Sequence, residues 1–256
     1  MAEIAPWRDV CYKYRVPVKR VSPELLLRKA MGARSAALRA RYARQGLAAT
    51  TLDRTTQAML LRQLYLSQFE ARRFRHAHDL AMQAAELGVL ADVLYQDAAR
   101  AALADGDLEQ AIGHLRMAVR QGPASRRAFH WWTLGSTFFL AGRYAEAVAA
   151  LARASRWGTN DKPLYRAHLA LAKIAGGDVV AHLQGTIDAL AEAPCGQGYG
   201  RFILGHLAYA AGAWVVARKY LDAFVKRTES GRVALGIALE GELRMARATL
   251  SKMAAN

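Results

Sequence analysis

Residues whose types could support chemistry are few in this chain, and they are scattered. Seven histidines occur in 256 residues: His76, His78, His114, His130, His168, His182 and His206. A metal or acid–base site needs such groups at ligand spacing, as in HExxH, and no such run occurs. His76 and His78 are two apart, so on a helix they point to different faces and cannot share a metal. Cys11 and Cys195 make neither a CxxC pair nor a disulfide framework, which fits a reduced, cytoplasmic setting. The run GQGYG at 196–200 invites a phosphate-loop reading. It lacks the spacing of GxGxxG and of GxxxxGK[ST], no predicted strand precedes it, and it reads as a turn after Pro194. No paired carboxylates fall at a predicted cleft. The expectation is a protein without enzymatic activity, cofactor or metal.

What remains is charge and aromatic surface. The formal net charge is +15, and residues 1–50 hold 11 basic against 3 acidic residues. Lys29, Arg34, Arg39, Arg41 and Arg44 recur along a predicted helix. Such a basic patch suits nucleic acid, anionic lipid or an acidic protein, and a solvated charged face is the plain alternative. Trp7-Arg8 and Tyr12-Lys13-Tyr14-Arg15 interleave rings with cations. They suit stacking on bases, or folding back onto the body of the protein. The composition is 53% hydrophobic, enough for a core. The uncharged run at 202–217 falls short of the roughly 20 apolar residues of a membrane span and contains His206 and Gly212, so no transmembrane segment is expected. No apolar stretch of signal-peptide length opens the chain. Arginine exceeds lysine and alanine is abundant, a composition associated with GC-rich bacterial genomes.

A period organises the positions that must carry any binding surface. Arg72, Gly106, Gly142, Gly177, Gly212 and Gly241 share a phase, with steps of 34, 36, 35, 35 and 29. Two residues after each anchor comes an apolar residue: Phe74, Leu108, Tyr144, Val179, Trp214, Leu243. Five after come Ala77, Ala111, Ala147, His182, Ala217 and Ala246. The fullest unit runs through Trp131, Leu134, Gly135, Phe138, Gly142, Tyr144, Ala147, Leu151 and Ala154. This pattern resembles the tetratricopeptide repeat, W-x2-L-G-x2-Y followed by G-x-Y and two small residues. Units fall at about 58–91, 92–125, 128–161, 163–196 and 198–231, with a truncated sixth or cap at 232–256.

The resemblance implies an all-α fold, a right-handed superhelical solenoid of antiparallel helix pairs. Each unit buries its apolar face only by stacking on neighbours, so both ends need covers. Residues 1–20 read as a basic extended arm and 21–57 as an N-terminal helix and connection. Ser22, Pro23 and Glu24 predict a helix start and Gly46 its end, giving one helix over 23–45 with Leu26, Ala30, Ala37 and Leu38 facing the first unit. His182, in place of a small alanine, predicts a local bend.

In the family the first helix of each unit lines a concave groove. Placed by analogy with the third unit, the groove takes Arg62, Leu66 and Phe69, then Gln96, Arg100 and Leu103. It continues through Trp132, Ser136 and Phe139, then Ala167, Leu171 and Ile174, and ends at Phe202, His206 and Tyr209 with Tyr199 nearby. A basic entrance followed by an aromatic wall suits an apolar or amphipathic segment of a partner protein. The same rings also fit an inter-helix core. Some family members clamp a C-terminal carboxylate through asparagines, but Leu66, Ser136 and Leu171 stand where those would be needed. The expectation is a protein-binding adaptor or scaffold. The alternatives are a nucleic-acid-binding helical repeat and a homo-oligomer whose arm fills the next copy's groove.

Overall fold

A computed structural model describes residues 21–255. The arm at 1–20, with the ring–cation pairs at Trp7 and Tyr12, lies outside the described residues. The described residues are all α, with no strand. The helices are α1 (Pro23–Met31), α2 (Ala36–Leu47), α3 (Arg54–Glu70), α4 (Phe74–Ala85), α5 (Ala91–Asp105), α6 (Leu108–Gln121) and α7 (Ala124–Leu140). They continue as α8 (Tyr144–Trp157), α9 (Lys162–Ala175), α10 (Leu183–Glu192), α11 (Gly200–Ala210), α12 (Trp214–Glu229), α13 (Val233–Ala238) and α14 (Glu240–Ala255). Along the repeats each helix packs on its chain neighbours, and α9 also meets α7 and α11, which makes the array an α solenoid.

The repeat positions explain why the pairs form. Gly106, Gly142, Gly177 and Gly212 turn their hairpins with φ between 72° and 93°. Arg72 takes the same turn at φ 56°, where an L side chain costs about 1 kcal/mol. Gly135 in α7 serves close approach: a Cβ there would sit 2.6 Å from Leu151 Cγ of α8. With the alanines Ala147, Ala150 and Ala154, this lets α7 and α8 bury Leu134, Phe138 and Leu151 between them.

Two expectations give way, at 23–45 and at Gly241, while the chain does bend at His182. The helix predicted over 23–45 is two helices, because Gly32 ends α1 and Ser35 caps α2 by accepting from Leu38 N at 3.2 Å. The restart shifts the buried face, so Ala40 and Ala43 are covered and Ala37 is exposed. His182 does not pack between helices. It is exposed in a left-handed conformation (φ 55°) just before α10, which starts late and buries Ile187 and Leu190. Gly241 does not turn a sixth hairpin. It lies inside α14, and the preceding helix α13 is only six residues long.

The short step before Gly241 has a long-range consequence. α14 packs on α11 and α12, but α13 reaches back to α3 and α5 in the first two units. Ile237 joins Tyr65, Phe69, Ala98 and Ala101 in one apolar cluster. Arg72 and Glu240 pair at 3.5 Å across the same junction. The C-terminal helices thus close the solenoid across its own concave side.

Candidate functional site

Closure leaves a half-open cavity of about 1540 Å³ on the concave side. One wall comes from the first helices of units one to three: Arg62, Leu66 and Phe69 on α3, Arg100 and Leu103 on α5, and Trp132, Ser136 and Phe139 on α7. Tyr199 lies at its far end. The opposite wall comes from the end of α12, with Phe224 and Arg227, and from the closing segment, with Leu235, Ile237, Glu242 and Arg244. The rows meet here because one residue in each turn of α3, α5 and α7 must face the superhelix axis.

The structure therefore brings together most of the predicted groove from units one to three, and Tyr199. It does not bring Leu171, Phe202, His206 or Tyr209 to the cavity. Phe202 is wholly buried, its ring centroid 4.6 Å from that of His206 and 5.4 Å from that of Phe224. Leu171 and His206 are buried as well, and half-buried Tyr209 packs on the same core. The reason is α14, which covers the region of α11 and α12 and turns the inner face of the fifth unit into core. Gln96 is buried behind the wall rather than on it.

Behind the entrance runs a polar network across three units. Asp97 accepts from Arg62 Nε at 2.5 Å and from Arg100 Nη1 at 2.8 Å. Arg100 also donates to Gln96 Oε1 at 3.4 Å, which turns the Gln96 amide nitrogen toward His130 Nδ1 and Thr133. Nδ1 of His130 then accepts, so Nε2 carries the proton and donates to Asp92 at 2.8 Å. Asp92 also takes a two-pronged contact from Arg126 at 2.7 and 2.8 Å. Burial pushes the Asp92 carboxyl up, but the bonds from Arg126 and His130 outweigh it and hold it below its ordinary value. Burial also lowers His130, so this ring is a neutral link in the network.

A second polar cluster sits deeper. Trp132 Nε1 donates to His168 Nδ1 at 3.1 Å, and the rings of Trp132 and Tyr199 meet edge to face at 4.9 Å. The Tyr199 hydroxyl contacts Ser136 Oγ at 2.8 Å and donates to Glu242 Oε1 at 3.1 Å. Burial pushes the Glu242 carboxyl up to about 7 and drives the Tyr199 phenol well above its usual range. Burial lowers His168 to about 3 and His206 to about 4, so both rings are neutral, and their Nε2 atoms lack a hydrogen-bond partner.

These contacts join the repeat units to one another and tie α7 and Tyr199 to α14. No group of three metal-binding side chains converges among the described residues. His78 and His114 do face each other, Nε2 to Nε2 at 2.9 Å, across α4 and α6. Sequence reading missed Asp92, Asp97 and Glu242. The first two were signalled by the repeat itself, since residues one period apart become neighbours: Arg62 with Asp97, Asp92 with Arg126, Gln96 with His130. Glu242 follows the irregular step and carried no such signal.

The predicted basic patch is split. Arg39 is half-buried and paired with Glu70 at 2.7 Å, so it ties α2 to α3. Lys29 lies over the Tyr42 ring at 5.8 Å. Arg34, Arg41 and Arg44 are exposed and form no ion pair among the described residues. No helix among the described residues is long and apolar enough to cross a membrane.

Neither protein-family models nor curated proteins give a match to this sequence. Among solved structures it is similar to the TPR-like repeats of a Podosopora anserina kinesin light chain. The identity is 15%, the match covers 80% of this chain and 100% of that chain, and the TM-score is 0.45.

Proposed function

We propose that the protein is a non-enzymatic cytoplasmic adaptor that holds a short apolar or amphipathic segment of a partner protein in its concave cavity. One observation carries this reading. Leu103, Phe129, Leu140 and Leu235 are large apolar side chains, each more than a third exposed, and all four line that cavity. Exposed apolar surface gathered in one concavity favours a bound segment over a free surface. The arginines at its edge, Arg62, Arg100, Arg227 and Arg244, supply anchoring groups of a kind enriched at binding hot spots.

The test is affinity capture from nuclease-treated host lysate with wild type and a Leu103→Asp/Phe129→Asp variant. Both residues are partly exposed, so the variant keeps its core, which circular dichroism verifies. The reading expects a protein captured by wild type and lost by the variant. Equal capture by both baits overturns it.

A second reading has its own observation: Arg34, Arg41 and Arg44 are exposed and form no ion pair among the described residues. If these bind nucleic acid, affinity falls steeply with salt through counterion release, and Arg41→Ala/Arg44→Ala shallows that slope. Salt-independent binding would dismiss it.

A further inference from the structure

The first two units seat a helix on α3 and α5, and it is the chain's own α13. α13 has six residues, of which only Ile237 is buried. Ile237 enters the cluster of Tyr65, Phe69, Ala98 and Ala101, with Ala234 and Ala238 packed beside it. The same short helix leaves Val233 62% and Leu235 44% exposed. Thus one face, Ala234, Ile237 and Ala238, makes the contact at the i, i+3, i+4 spacing of a helix stripe. Glu240 follows and pairs with Arg72 at the first hairpin. So small a contact holds weakly, because a six-residue helix has little stability of its own and Ile237 is its one buried side chain.

We propose that this seat is the primary docking site for the partner, and that the partner's segment displaces α13. The inference rests on the adaptor reading above. The occupant is a short partner helix with the chemistry α13 displays: two small residues flanking one aliphatic anchor on one face, and an acidic residue three positions after the anchor for Arg72. α13 is then a built-in competitor. It covers Tyr65 and Phe69 until a matching helix arrives, and it lowers apparent affinity by the fraction of chains in which the seat is open.

The probe is a fluorescein-labelled peptide with the sequence of residues 232–242, titrated by anisotropy against the full chain and its Ile237→Asp variant. A carboxylate among Tyr65, Phe69 and the alanines expels α13 and frees the seat. The peptide should bind the variant at least about tenfold more tightly than wild type. A control peptide carrying aspartate at the same isoleucine should bind neither. Equal affinity for both proteins, or binding to neither, overturns the inference. If Ile237→Asp does not fold, wild type carries the test. Excess peptide should speed amide exchange at 233–238 and leave the other helices unchanged, and unchanged exchange there overturns the proposal. A concentration-dependent dimer of the variant in light scattering would give the seat to a second copy, and also overturns it. A failed seat with Leu103→Asp/Phe129→Asp still abolishing capture would leave the cavity reading intact.

Discussion

The Tyr199 hydroxyl donates to Glu242 Oε1 at 3.1 Å, joining the start of the fifth unit to the C-terminal helix α14. No cation among the described residues pairs with this carboxyl, and burial raises it from its ordinary 4.5 to about 7. A carboxyl whose folded value is raised contributes stability that is full below pH 4.5 and lost as pH rises through about 7. The loss is on the order of 3 kcal/mol at 1.36 kcal/mol per pH unit. Thermal melts from pH 5 to 8 should therefore show falling stability, and Glu242→Gln should flatten the slope. An unchanged slope in the variant would place the effect elsewhere.

On the acid side the sign reverses. His168 and His206 titrate in the folded chain near 3 and 4, below their ordinary 6.5, because burial disfavours the charged rings. Their contribution is full above pH 6.5 and fades as pH drops toward 4. His206→Leu should move the midpoint of acid unfolding, followed by circular dichroism, to lower pH. A midpoint that stays put would show that His206 does not drive it.

Asp97 joins the first two units through Arg62, and Arg100, one turn on in the same helix, braces the carboxylate. Removing a buried partner strands the remaining charges, at about 3–5 kcal/mol in a dry site. Arg62 and Arg100 keep about a third of their side-chain exposure, which lowers the expected cost of Asp97→Ala to about 2 kcal/mol. A double-mutant cycle with Arg62→Ala should return a coupling above about 0.5 kcal/mol. Additive effects would mean the pair is idle.

The glycines give opposite outcomes from one chemical change. Gly135→Ala drives a methyl to within 2.6 Å of Leu151 and should cost about 1–3 kcal/mol. Gly113→Ala in α6 meets no atom within 4 Å and should stabilise by about 0.5–1 kcal/mol. Denaturant midpoints measure both, and equal signs would refute the packing account.

Much of this fold was legible because the period is also a contact map. A step of 34 to 36 residues marks each hairpin turn, and it places Arg62 beside Asp97 and Trp132 beside His168. The break between α1 and α2 was written in Gly32 and Ser35, but a helix-like apolar pattern on both sides masked it. The cavity was half legible. Its first wall follows from the repeat, as Leu66, Arg100 and Trp132 show. Its second wall does not, because α13 joins α3 through a contact that no repeat spacing encodes. Nor does the repeat place α14 over α11 and α12, so Phe202 read as an open groove residue and is wholly buried core.

The most direct test of the adaptor account is an amide-exchange footprint of the full chain with its captured partner. The account predicts protection on the concave helices α3, α5 and α7, around Leu66, Arg100 and Trp132, with α4, α6 and α8 unchanged. Protection confined to α1 and α2 around Arg41 and Arg44, or to the outer helices, would contradict it.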